Sequence, residues 1–123
     1  MMSIALHHLR VESKEFALDD DIVIDSGSPE HLFRRREEID EYFTYGRNTL
    51  SMEMANGEVA KCYGYGTRGF LKRVYYVPSI SHNLLSVQAL AREGCWITFT
   101  DNIVYIDKGT SNLNFPPIMI YKS

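Results

Sequence analysis

Through the middle of the chain, hydrophobic and polar residues alternate with a period of two, the spacing that turns one side of a strand to a core and the other to solvent. From Thr49 onward Leu50, Met52 and Met54 point one way and Ser51, Glu53 and Ala55 the other, up to Asn56-Gly57. Asn-Gly is a strong two-residue hairpin signal, because both central residues of a type I′ turn take positive φ. With Asn56-Gly57 as the loop, Met54 pairs with Val59, Met52 with Lys61 and Leu50 with Tyr63. Phe70 to Val77 reads as another strand, stopped by Pro78. Cys95 to Thr100 and Ile103 to Asp107 alternate around Asp101-Asn102 and predict a second hairpin, and Ile118 to Tyr121 predicts a last short strand.

Two segments break the alternation. Ile22-Val23-Ile24 is a continuous β-branched run bounded by Ser26-Gly27-Ser28-Pro29, which predicts a short strand buried on both faces. Between Ser81 and Arg92 the period changes to 3.6: Leu84, Val87 and Ala91 share a face, Ser81 or Asn83 can cap the start, and Gly94 suits the position just past the end. The pattern predicts a mainly β domain with one short helix, hence a small barrel or sandwich. Residues 1–20 are polar and unpatterned and are expected to be a flexible leader or polyprotein linker, with the domain over 21–123.

The length of 123 residues accommodates one domain and a real core. Cys62 and Cys95 form no CxxC pair, and His7, His8, His31 and His82 show no zinc spacing, so neither a metal nor another cofactor is expected. Two lone thiols suit a reducing, cytoplasmic compartment. The formal charge of −3, and the cancelling of Arg34-Arg35-Arg36 by Glu37-Glu38, argue against nucleic acid as a partner, even though Tyr63, Tyr65 and Tyr75 could stack bases. No window reaches the roughly 18 apolar residues of a membrane span, so no membrane partner is expected.

The chemical signal is Asp25-Ser26-Gly27, directly after the apolar run. A carboxylate at the end of a buried strand, beside a hydroxyl and a glycine, is placed to be desolvated, bonded by backbone N–H groups and approached closely by a substrate. That placement suits an aspartic protease. His31 reads most simply as a polar loop residue, because this chemistry asks nothing of an imidazole. Met52 and Met54 read as hairpin packing, and both cysteines as small buried hydrophobes.

From Ile22 to Gly109 the chain resembles the protease domain of copia-type retrotransposon Pol polyproteins. The resemblance rests on Ile24-Asp25-Ser26-Gly27 with His31 following, on Met54-Ala55-Asn56-Gly57-Glu58, on Gly64-Tyr65-Gly66, and on the block from Val74 through Val77-Pro78 to Asn83-Leu84-Leu85-Ser86-Val87. It implies a small closed retropepsin-like barrel with one short C-terminal helix, a flap formed by the Asn56-Gly57 hairpin, and processing of a Gag-Pol polyprotein within cytoplasmic virus-like particles. In that likeness Asp25, Ser26 and Gly27 are catalytic, and Ser28, Glu30, Ala55, Asn56 and Gly57 contact substrate. Ser81 and His82 fall where retroviral proteases place a glycine and an arginine before the helix behind the Asp loop.

Aspartic proteolysis needs two carboxylates sharing one proton across a water. The chain has one Asp-Ser-Gly, and Asp40, Asp101 and Asp107 lie in other contexts, so the expectation is a homodimer with both Asp25 side chains on its axis. Pro29, where the family has Ser or Thr, and the absence of a tryptophan upstream of the Asp-Ser-Gly strand motivate an alternative: a catalytically inactive barrel serving as a dimerisation or binding module.

Overall fold

Strand β2 (Ile22–Asp25) lies at the centre of the domain because its neighbours bury it from both sides, as its uninterrupted apolar run requires. The computed structural model describes residues 8–11, 22–54, 56–99, 103–108 and 119–122. The other strands are β1 (His8–Val11), β3 (His31–Phe33), β4 (Asp40–Thr44), β5 (Leu50–Glu53), β6 (Val59–Cys62), β7 (Gly64–Arg68), β8 (Leu71–Tyr76), β9 (Asn83–Ser86), β10 (Cys95–Phe99), β11 (Ile103–Lys108) and β12 (Met119–Lys122). A 3-10 turn spans Arg36–Glu38, and helix α1 spans Val87–Arg92.

Ten strands form one sheet in the order β10-β11-β12-β1-β2-β9-β3-β8-β7-β4, and β5 and β6 form a separate hairpin. The expected mainly β class with one short α-helix holds. The expected closure does not appear among the described strands, where β10 and β4 stand at the two ends of an open order. Nor is α1 C-terminal, since β10 to β12 follow it. Within the stretch expected to be a leader, His8–Val11 forms β1 and pairs with β2 and β12. Among the described residues no helix is long and apolar enough to cross a membrane.

The segment around Asp25 has an unusual connection. Strands β2 and β3 are consecutive in the chain, yet β9 lies between them, parallel to β2 (Asp25 opposite Ser86) and antiparallel to β3 (Leu32 opposite Leu84). A loop that spans an inserted strand is a ψ-type connection, and here the loop carries Ser26 to Glu30. The core divides by face. Ile22, Ile24, Phe33, Val74 and Leu85 pack with Leu71, Leu90 and Ile106 on one side. Leu32 and Leu84, on the opposite side, pack under the hairpin with Ala60, Cys62, Met52 and Met54. Cross-strand partners share a face, so the registers line up Val23, Leu84, Leu32, Tyr75, Tyr65 and Phe43 in one row across six strands.

Two local expectations are corrected. The hairpin pairs Glu53 with Val59, Met52 with Ala60, Ser51 with Lys61 and Leu50 with Cys62, one residue off the expected register. Gly57 alone of the Asn-Gly pair takes positive φ, at 84°, and its N–H donates to the Met54 carbonyl at 2.9 Å, so the loop is longer than a two-residue type I′ turn. The observed register collects Leu50, Met52, Ala60 and Cys62 on one face, whereas the expected one sets Met52 opposite Lys61, and burial of the apolar set selects between them. The helix likewise starts later than its periodicity suggests. Asn83 to Ser86 extend as β9 and send Leu84 and Leu85 to opposite faces, and Ser86 rather than Ser81 or Asn83 caps α1 by accepting from the Ala89 N–H. Gly94 does take positive φ after it.

Strand β7 approaches β4 too closely for side chains at its glycines. A Cβ on Gly66 would run into the Asp40 carbonyl oxygen and stand 2.6 Å from Ile39 Cγ2, with backbone on one side and a buried side chain on the other. Gly66→Ala is therefore expected to destabilise the domain by about 2 kcal/mol, the overpacking range. Urea denaturation at constant slope checks this, and a loss below about 0.5 kcal/mol would show that β4 can yield at that point.

Candidate active site

Asp25 is the last residue of β2, and alternation along the strand puts it on the same face as Val23. The residue is 9 % exposed, and its Oδ1 accepts the Gly27 N–H at 2.7 Å, an Asx turn that aims the carboxylate back over its own loop.

The loop is held from behind by residues beyond β8. Gln88 Nε2 donates to the Ser26 carbonyl at 2.9 Å. The Ser86 hydroxyl donates to the Ser28 carbonyl at 2.6 Å while accepting the Ala89 N–H at 2.9 Å, so one buried oxygen caps α1 and anchors the loop together. Arg92 Nη2 donates to the Pro29 carbonyl at 2.9 Å and to Glu30 Oε1 at 3.1 Å. Within the loop the Ser28 hydroxyl donates to the Glu30 carbonyl at 2.7 Å. His31 ends it, fully buried, its Nδ1 accepting the Ser86 N–H at 2.9 Å.

A second buried network fixes β9. Asn83 Oδ1 accepts the Arg34 N–H at 2.8 Å, and its Nδ2 donates to Glu38 Oε1 at 3.2 Å. This satisfies a carboxylate that the fold otherwise shields from water.

On the Val23 face of the sheet lies a cleft of about 670 Å³, whose lining includes none of Asp25, Ser26 and Gly27. Val23 and Leu84 form its floor, Met54, Asn56, Glu58, Val59 and Ala60 of the hairpin form one wall, and Ser79 to His82 form the other. Of the residues expected to touch substrate, Asn56 lines this cleft, while Gly57 sits with it at the exposed hairpin tip and Ala55 lies outside the described residues. Ser28 and Glu30 are not part of the lining, because their polar groups are taken up inside the Asp loop and by Arg92. The positions expected to precede the helix, Ser81 and His82, line the cleft instead, and the arginine that reaches the Asp loop is Arg92.

Other chemistries find little support in the site. Cys62 is buried, which pushes its thiol up from the ordinary cysteine value, and its Sγ donates to the Gly64 carbonyl at 3.2 Å, so it is a packing group rather than a nucleophile. Cys95 is half-buried. Among the described residues, no group of three or more His, Cys, Asp or Glu side chains could hold a metal ion. Tyr65 packs on Tyr75 and Phe43 at 6.1 and 5.5 Å, with the Arg73 guanidinium 4.3 Å over its ring.

Fold and site together define a mainly β domain in which a ψ-type loop carrying Asp-Ser-Gly follows a strand whose Val23 floors a cleft walled by a hairpin. The chain belongs to the Pol polyprotein β-barrel domain family, whose family model matches residues 22–95, well over half of the 123. That span runs from β2 to the start of β10 and contains the Asp loop, the hairpin, the cleft and α1. No curated protein and no solved structure matches the chain.

Proposed function

We propose that this Pol-derived domain is one subunit of a copia-type aspartic endopeptidase that works as a homodimer on its own Gag-Pol polyprotein in cytoplasmic virus-like particles. The observation that carries the reading is the position of Asp25: it ends a buried strand, its carboxylate is held by the Gly27 N–H, and it lies on the sheet face that bears the cleft. In this reading two Asp25 carboxylates, one per subunit, share a proton across a water. One takes a proton from the water as it attacks the scissile carbonyl, and the other gives its proton to the carbonyl oxygen. The tethering of the loop to Ser86, Gln88 and Arg92 supports the role, since a shared dyad tolerates little positional error.

The division of labour around the substrate differs from the one the resemblance implies. Ser28 and Glu30 serve the loop, so contact with the polypeptide falls to Asn56, the hairpin and the Ser79–His82 wall. A second copy of the chain is favoured by β10, which stands at one end of the order of the described strands, an edge that a partner strand would cover.

The test uses a chain that retains flanking polyprotein sequence. Self-cleavage blocked by pepstatin, together with sedimentation at about twice the 14.2 kDa of one chain, supports the proposal. A monomer at high concentration that neither cleaves nor binds pepstatin overturns it in favour of the silent binding module.

A further inference from the structure

His31 closes the Asp25 loop at the start of β3, and its ring is fully buried. A fully buried imidazole is costly unless both nitrogens are used, and here they face different partners. Nδ1 accepts the Ser86 backbone N–H at 2.9 Å, so it carries no proton and the ring hydrogen sits on Nε2. Nε2 faces Glu93 Oε2 across 3.6 Å, and both of those buried atoms lack a hydrogen-bond partner. The ring is therefore tied on one side and has slack on the other.

We infer that His31 is a positioning residue and an acid-sensitive latch: with its single proton on Nε2 it ties the end of the Asp25 loop to the Ser86 amide, and a second proton, on Nδ1, unties it. Protonated Nδ1 would set two donors against each other at the 2.9 Å contact. The imidazolium formed at the same moment is attracted by Glu93, which has a 3.6 Å gap to close. Both effects pull the ring toward α1 and away from Ser86.

The charged group at the far end of the same loop is Asp25, which stands opposite Ser86 in register and accepts the Gly27 N–H. In register with His31, β8 places the apolar Val74, and β9 contributes the Ser86 amide. Arg92 of α1 and Glu30 of the loop are paired with each other at 3.1 Å. The consequence for cleavage rests on the aspartic-protease reading, whereas the consequence for the loop does not.

Two substitutions separate the latch from plain packing. His31→Asn keeps an amide oxygen where Nδ1 accepts and has no titrating proton. His31→Gln is nearer in size but puts its amide at the Nε2 position and leaves the Ser86 N–H without an acceptor. In NMR titrations of the full chain, acidification should shift the Ser86 amide signal of the wild type. His31→Asn should show no such shift, and His31→Gln should show a displaced signal already at neutral pH. Cleavage by His31→Gln should fall about 100-fold in kcat with KM little changed, the cost of a displacement near 1 Å at the reacting groups.

Equal impairment of both variants, or a wild-type Ser86 signal indifferent to acid, would overturn the inference. The expected amide behaviour in a chain that cleaves nothing would sustain the latch and overturn the protease reading alone.

Discussion

Replacing Asp25 by Asn is expected to lower the proposed self-cleavage by about 10,000-fold, the upper range for removing a general acid–base group, while leaving the fold intact. The fold survives because the contact Asp25 makes with the Gly27 N–H asks only for an oxygen, which Asn also supplies. What disappears is the charge that lets two side chains share one proton. The proposed site takes one Asp-Ser-Gly from each subunit, so an equimolar mixture of wild-type and Asp25→Asn chains should retain about a quarter of the activity of an equal total amount of protein that is all wild type, because only the all-wild-type dimers keep both carboxylates. Titrating one protein into the other at constant total concentration reads this directly. Retention of half would mean that each subunit cleaves alone and would refute the shared dyad. Undiminished cleavage by the pure variant would dismiss Asp25 altogether.

The parts of the fold legible from sequence are those in which a strand's own residues decide its fate. Ile22-Val23-Ile24, Leu71 to Tyr76 and the hairpin of β10 and β11 carry enough β-branched or alternating apolar residues to announce themselves. Strand β7 is Gly-Tyr-Gly-Thr-Arg, poor in strand propensity, and exists because the glycines let β4 lie against it. Strand β4 is equally illegible, with Asp40 and Glu41 at its start, a bulge before Phe43, and Glu41 itself at a φ of 48°. Asn83-Leu84-Leu85-Ser86 reads as helix because Leu84 and Leu85 continue the period of Val87 and Ala91. Pairing with both β2 and β3 outweighs that local preference, and no local pattern contains the pairing.

The candidate site divides in the same way. Asp25-Ser26-Gly27 stands out as a triplet, but everything that holds it comes from far along the chain: Ser86, Gln88 and Arg92 reach residues 58 to 63 positions earlier. His31 is the case where sequence reasoning fell short. As a loop residue it had no role, and only its burial against Ser86 and Glu93 gives it one. The available signal was the position itself: a histidine followed by Leu32-Phe33 enters an apolar strand and is drawn inside with it. The floor of the cleft was hidden too, since Val23 and Leu84 become neighbours only through the parallel register of β2 and β9.

Ser86→Ala should be the most damaging conservative change behind the loop, costing about 3 kcal/mol of stability. Its hydroxyl has two jobs on one buried oxygen. Loss of the cap to the Ala89 N–H is worth about 1 kcal/mol, and a buried Ser28 carbonyl left without a donor adds about 2 kcal/mol. For a domain of this size the sum lowers the melting temperature by roughly 10 °C, read at fixed protein concentration so that any dimer contributes equally to both proteins. The backbone N–H that His31 accepts is untouched by the change, so Ser86→Ala and His31→Gln cut the loop's two attachments to this residue independently. Combining them should therefore add their separate effects only where the loop is not already free, and a shortfall from additivity measures how far either bond alone holds Asp25 in place. A loss below about 1 kcal/mol for Ser86→Ala would mean that water or a shifted loop replaces the hydroxyl, and that the junction of α1 with the Asp loop is softer than its 2.6 Å bond implies.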